Sequence, residues 1–220
     1  MRFIESKQHI LYSVERQMNV NDLWREGASL LDVGTGQGYV AAYLQAVHGT
    51  RIVGYEVGST GQCADFLRSP FRLAFMTHEA NPRVPEPPRS FDAVSFMNVL
   101  HHAAERTPAL LAQAAEHARK YITWHIIVVE DLCTRRSSRH CQWLRTKHDT
   151  LGIFRNNSEW QQIFHEHCAG FRLARWGHVP YKVVLREMNH SVPVDDPRAE
   201  TVIGLKGHIY SMAFYVLERV

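Results

Sequence analysis

Cysteine is scarce in this chain, and the little there is has no pattern. Cys63, Cys133, Cys141 and Cys168 form no Cys-x-x-Cys pair and share no repeated spacing, which argues against a disulfide framework and a cysteine-rich zinc site. Long apolar runs are missing as well. No stretch approaches the ~18 consecutive apolar residues of a membrane span, and the opening Met-Arg-Phe-Ile-Glu-Ser-Lys-Gln is charged where a secretory signal is apolar. A reducing cytoplasm, away from any membrane, is the expected setting. Charge of one sign is lacking too: 25 Lys and Arg against 22 Asp and Glu leave +3, too mild to imply a polyanionic partner on its own. Internal repeats and low-complexity segments are absent. The 14 histidines would add positive charge in mild acid, and they read as local composition.

What is present is a globular balance. With 220 residues, 45% hydrophobic and 21% charged, the chain fits one domain over 1–220 with a sizeable core. Apolar, β-branched segments are predicted as strands at 29–33, 51–57, 71–76, 91–97, 122–130, 171–179 and 208–217. Helical patterns fall at 9–24 (within an N-terminal helical segment, 1–26), 40–47, 61–67, 108–121 and 159–169. This alternation predicts an α/β fold, a mostly parallel sheet with helices on both faces. Thr107-Pro108 reads as a capping hydroxyl before a proline at the first helical position. Ser158-Glu-Trp-Gln161 reads as a capping box, with Gly170 as a left-handed residue after the helix. Val84-Pro-Glu-Pro-Pro88 is a rigid loop.

The segment with most chemical content is Ser29-Leu-Leu-Asp-Val-Gly-Thr-Gly-Gln-Gly-Tyr39: an apolar strand, a glycine turn and the start of a helix. A dinucleotide fingerprint needs a small residue three places after its second glycine, so that the helix can lie close behind a pyrophosphate. Here that place holds Tyr39, and Gly38 comes one residue early. Asp32, just before the glycines, disfavours paired phosphates and suits a ligand carrying an ammonium group.

This pattern resembles motif I of the class I S-adenosylmethionine-dependent methyltransferases, nearest to the small-molecule methyltransferase-like members. The resemblance is specific from about Leu30 to Leu132. It implies a three-layer sandwich around a seven-stranded sheet whose last strand is antiparallel and inserts beside the fifth. It implies S-adenosylmethionine as cofactor and S-adenosylhomocysteine as its product. By the same resemblance, Asp32 holds the amino end of the methionine moiety, and the backbone of Gly34, Thr35, Gly36 and Gly38 passes beneath it. Glu56, at the end of the second strand, accepts from the ribose hydroxyls. Glu79 and Ala80 meet the adenine, with His78 or Asn81 as alternative neighbours, and Asn98 and Val99 lie beside the methionine part and the ring. Ser90-Phe-Asp92 before the fourth strand and Leu100-His-His102 after it also recur in the family.

The acceptor is harder to read. Methyl transfer from a sulfonium needs alignment and exclusion of water, and a base only for a protonated oxygen or nitrogen acceptor. Candidate bases by location are His101, His102, Asp131 and His148. Of Glu130 and Asp131, ending the fifth strand, one would face the substrate and the other cap the following turn. Arg135, Arg136, Arg139 and Trp143 lie in a basic stretch able to bind a phosphate, a carboxylate or RNA; the alternative is a solvated helix. Two segments, 134–157 and 181–207, have no family counterpart and are candidate substrate or lid insertions. No metal is expected: His101-His102 lack nearby carboxylate spacing, and His165 and His167 point ~200° apart on one helix.

The function expected is therefore methyl transfer to a small molecule. RNA or protein methylation through 135–148 is an alternative, and a cofactor-binding but inactive partner subunit is another. Against two RNA-methylating groups, Asn98 stands where ribose methylators with a Lys-Asp-Lys-Glu tetrad have an acid, and Asn98-Val-Leu-His departs from the Asn/Asp-Pro-Pro-Tyr/Phe of base methylators.

Overall fold

In the computed structural model the described residues are 15, 26–35, 39–56, 72–75, 91–118, 125–131, 153–185, 190–193, 197–204 and 208–220. Their elements are β1 (Ser29–Val33), α1 (Tyr39–His48), β2 (Arg51–Glu56), β3 (Arg72–Phe75), β4 (Ala93–Met97), α2 (Leu100–Ala103), a 3-10 turn (Ala104–Arg106), α3 (Thr107–His117), β5 (His125–Asp131), α4 (Asn157–His167), β6 (Phe171–Leu185), β7 (His190–Pro193), α5 (Ala199–Gly204) and β8 (His208–Arg219).

Among the described residues the strands form one sheet in the order β3-β2-β1-β4-β5-β8-β6-β7. Strands β1 to β5 pair in parallel, and β8 runs antiparallel to both β5 and β6. All seven expected strands are present, and the last of them sits beside the fifth in the opposite direction. The structure adds an eighth. β6 does not stop at Val179 but continues to Leu185, then returns as β7, paired Lys182↔Pro193 through Leu185↔His190. The first part of the 181–207 segment is thus a sheet edge.

The alternation of side chains along each strand divides the core into two layers. Leu31 and Val33 of β1, Val94 and Phe96 of β4, Ile126 and Val128 of β5, and Ala213, Tyr215 and Leu217 of β8 face one side. There Leu110, Leu111, Ala114 and Ala115 of α3 and Trp160 and Phe164 of α4 cover them. Leu30, Ala93, Ile127, Val129, Met212, Phe214 and Val216 face the other, under Val40, Ala41 and Leu44 of α1. Because both faces are covered, β1, β5 and residues 212–217 of β8 are buried at every position, as central strands of such sheets must be.

Local chemistry differs from expectation at two helix starts. Thr107 is the first residue of α3, after Arg106, and its hydroxyl donates to the Leu100 carbonyl (3.0 Å) instead of capping. The capping box of α4 is Asn156 with Glu159, two residues before Ser158: Asn156 Oδ1 accepts from the Glu159 N–H (2.9 Å) and Glu159 Oε2 from the Asn156 N–H (2.8 Å). Ser158 is already the second residue of α4, inside the helix. Gly170 does adopt the left-handed conformation, φ 81°. Asp92 of the Ser-Phe-Asp run ties the start of β4 to β1, its Oδ2 accepting from the Ser29 N–H (2.8 Å) and hydroxyl (2.6 Å). Of the predicted helix 9–24 only Glu15 is described; it accepts from the Tyr43 hydroxyl (2.9 Å) and meets His48 Nε2 (3.0 Å) on α1. The predicted helix 61–67 and the proline loop 84–88 lie outside the described residues.

Candidate functional site

Open α/β sheets bind ligands at the carboxyl ends of their strands. In this sheet β1, β4 and β5 bring three short segments together at that edge: Asp32–Thr35, Asn98–Leu100 and Val129–Asp131. Asp32 is 1% exposed and faces Ser95 across the β1–β4 pairing. The Ser95 hydroxyl donates to Asp32 Oδ1 at 2.6 Å, which fixes the carboxylate at the head of the glycine turn.

Gly34 follows with φ 74°, and a Cβ built on it would fall 2.1 Å from Val99 Cγ2. Only glycine lets the two turns approach this closely. Asn98 itself has φ 60°, a left-handed conformation that asparagine tolerates better than most residues, and its N–H donates to the Val129 carbonyl (2.7 Å). The Thr35 hydroxyl and Asn98 Oδ1 are both buried and have no hydrogen-bond partner among the described residues. Buried polar atoms are ordinarily paired. Two orphans on the two turns that meet at Gly34 therefore mark a place for a polar ligand.

Beneath this edge Glu130, 0% exposed, directs its carboxylate at the start of α2. Oε1 accepts from the Val99 (2.8 Å) and Leu100 (2.6 Å) N–H groups, and Oε2 meets His101 Nδ1 at 2.6 Å. Glu130 does cap, then, but it caps the turn after β4 and not the one after its own strand. His101 is 3% exposed, stacked on Phe154 (4.8 Å between ring centres, 23°) and 3.9 Å from the His102 ring. That places it in the interior, while His102 is exposed. Asp131 is buried opposite Met212 of β8.

Around Glu130 the electrostatics follow burial. The Arg155 guanidinium lies 5.0 Å over the Trp160 ring, and its pKa is lowered by burial against the opposing pull of Glu130, Glu159 and Glu105. Tyr215 donates to Asn157 Oδ1 (2.7 Å), and its pKa is raised by burial and further by the Glu130 charge. Burial pushes the Cys168 thiol up to about 12.

The structure thus brings together Asp32, Gly34, Thr35, Asn98 and Val99, with His101, His102 and Asp131 nearby. Glu56 ends β2 in the next strand, though its side chain is not among those described. Gly36, Gly38, Glu79, Ala80, Arg135, Arg136, Arg139, Trp143 and His148 lie outside the described residues. Sequence reasoning missed Ser95, whose only signal is a hydroxyl in register with Asp32. Arg155 falls within the 134–157 segment read as a substrate or lid insertion, and Tyr215 carries no local signal. On α4, Phe164 is buried, while His165 is exposed and His167 half-buried, as expected of a helix surface. Among the described residues no group of three or more His, Cys, Asp or Glu could hold a metal, and no helix is long and apolar enough to cross a membrane.

Comparison with known proteins bears on the same edge. No curated protein matches the chain in sequence. In structure it is similar to the candidate methyltransferase solved in complex with the Haloferax volcanii activator Trm112 (17% identity, 96% of this chain and 97% of that one, TM-score 0.65). It is also similar to a candidate sarcosine dimethylglycine methyltransferase of Galdieria sulphuraria (13%, 96% and 85%, 0.66). A third similar structure is the magnesium protoporphyrin IX methyltransferase of Synechocystis with bound S-adenosylhomocysteine (15%, 100% and 85%, 0.61). At such identities these likenesses speak for the fold. The sequence itself carries the assignment: residues 14–175 match the family described as a methyltransferase domain, and the chain belongs to that family as an S-adenosylmethionine-dependent methyltransferase.

Proposed function

We propose that this chain, as one domain over 1–220, transfers a methyl group to a small-molecule acceptor, in line, at the carboxyl edge of β1, β4 and β5. The observation that carries the cofactor site is the pair of buried, unpartnered oxygens of Thr35 and Asn98 on either side of the Gly34–Val99 contact. Asp32 would hold the ammonium group, with Ser95 keeping its carboxylate oriented. The Gly34–Gly38 backbone would lie under the methionine part, Glu56 would accept from the ribose hydroxyls, and Glu79 and Ala80 would meet the adenine beside Asn98 and Val99. When bound, the cofactor supplies an electrophilic methyl group on a good leaving group. The chain's own task is to orient the acceptor and keep water out.

Support for a small acceptor comes from the mild net charge and from relatives of the same fold named for sarcosine and dimethylglycine and for magnesium protoporphyrin IX. Arg135, Arg136, Arg139 and Trp143 would receive an anionic group of that acceptor, and His102, Asp131 and His148 remain the candidates for a base. His101 is a poor one, because its ring is buried and stacked on Phe154.

Calorimetric titration with S-adenosylhomocysteine, in wild type and Asp32→Ala, tests the site. Binding that Asp32→Ala abolishes supports it; equal binding in both rejects it. Product-cofactor release over panels of small molecules, RNA and protein then tests the acceptor, and turnover on RNA alone would overturn the small-molecule reading. A second reading rests on the candidate methyltransferase that resembles the chain over nearly all of both lengths and was solved with the Haloferax volcanii activator. On that reading the chain binds cofactor alone and turns over only with a partner.

A further inference from the structure

We propose that Glu130 is a positioning residue for the cofactor, setting the Asn98–Val99 turn against Gly34 from beneath; this rests on the cofactor site proposed above. α2 has only four residues, so its first N–H groups have no acceptor within the helix. Glu130 Oε1 accepts from the first of them, Leu100, and from Val99 at the cap just before it. The preceding residue of β5, Val129, accepts the Asn98 N–H through its main chain. Consecutive residues of β5 therefore grip three consecutive residues after β4, one by its backbone and one by its carboxylate.

What they hold is a turn that needs holding. Asn98 sits at φ 60°, a conformation kept only where its surroundings impose it. Val99 fills the space that any side chain on Gly34 would need, so a small shift of Val99 changes the room above the glycine turn. The second carboxylate oxygen reaches the other way. Oε2 fixes the His101 ring against Phe154, and the His101 carbonyl accepts the Ile153 N–H (2.9 Å). One buried group thus sets both the floor of the cofactor site and the segment leading into α4.

For this role the reach of the side chain matters more than its charge. Glutamine keeps an acceptor oxygen for the two N–H groups, and its amide can donate to His101 in the other ring tautomer. Aspartate keeps the charge but falls one methylene short. A group acting by charge alone, on the cofactor or on the reaction, would rank the two variants the other way.

The test is calorimetric titration with S-adenosylhomocysteine of the full chain as wild type, Glu130→Gln, Glu130→Asp and Val99→Ala, with thermal unfolding of each without cofactor. Glu130→Gln is expected within about threefold of wild type, and Glu130→Asp weaker by about tenfold or more while still folded. Val99→Ala leaves the carboxylate's bonds in place and removes the side chain they hold, so its affinity should fall several-fold even if Glu130→Asp does not fold. Equal affinity in Glu130→Asp and wild type, a greater loss in Glu130→Gln than in Glu130→Asp, or unchanged affinity in Val99→Ala would each overturn the proposal. A merely structural role would lower the melting temperature and leave the affinity of the folded protein unmoved. Failure of the wild type to bind would remove the cofactor site itself, whereas binding that is indifferent to residue 130 removes only this inference.

Discussion

Gly34 and Val99 touch with no room between them: a Cβ on the glycine would lie 2.1 Å from one Val99 methyl and 2.6 Å from its Cβ. Gly34→Ala must therefore displace the turn after β4. Overpacking costs about 1–3 kcal/mol, and an L-residue in the left-handed region about 1–2 more. Urea denaturation should show a loss of about 2–5 kcal/mol, and S-adenosylhomocysteine affinity should fall with it. A loss under about 1 kcal/mol would mean the turns are not in contact.

Ser95→Ala removes the 2.6 Å donor to Asp32 and leaves a buried carboxylate short of one hydrogen bond. Bonds to charged groups contribute about 1.5–3 kcal/mol, so chemical denaturation should show a loss of about 2 kcal/mol. Ser95→Thr, which keeps a hydroxyl, should recover most of it if the added methyl fits.

Asn156→Ala breaks the capping box of α4 while leaving its buried face, Trp160 and Phe164, intact. The expected cost is about 1 kcal/mol. Asn156→Ser should cost much less, and an alanine variant as stable as wild type in denaturant would show that the box contributes nothing.

Alkaline pH should destabilise the protein through two buried groups. Cys168 has its pKa raised from 9.0 to about 12, and that of Tyr215 is raised from 10.0. A raised folded-state pKa means the unfolded chain loses its proton first. The contribution to stability is whole below the unfolded value and is lost as pH climbs towards the folded one. Between pH 9 and about 12 each group should lower stability by about 1.4 kcal/mol per pH unit once its unfolded form ionises. Denaturant titrations from pH 8 upward should show a shallower decline in Cys168→Ala than in wild type from pH 9, and in Tyr215→Phe from pH 10. Parallel curves in all three would contradict the burial of both groups.

The order of strands was legible because each apolar run is flanked by turn residues, and the glycine turn because its spacing is chemically specific. β7 was not legible. His190–Pro193 is short, contains a proline and has strand character only by pairing with β6, which sequence proximity alone does not reveal. The capping box was misplaced by two residues because both Asn156 and Ser158 are plausible caps, and only backbone geometry selects between them. Asp32, Asn98 and Val99 were put forward through a family resemblance that specifies strand ends, and the structure sets them at one sheet edge. Ser95 and the grip of Glu130 were missed because they depend on register between strands distant in sequence. The burial of the His101 ring against Phe154 was likewise not legible, because it depends on contacts distant in sequence.

β8 lies between β5 and β6, yet it follows both in the chain. During synthesis the two neighbours are complete before the strand that separates them exists, so each waits with an edge of unpaired N–H and C=O groups. Non-local pairing of this kind is slow and leaves edges open to wrong partners. Direct annealing of β6 onto β5 would be parallel, would exclude β8, and would leave Phe214 and Tyr215 without their core. Alternate residues of β6, Arg172, Ala174, Trp176 and His178, are exposed, so that waiting strand has one face open to water. β8, made after both its neighbours, is thus the strand that commits this sheet to its native topology.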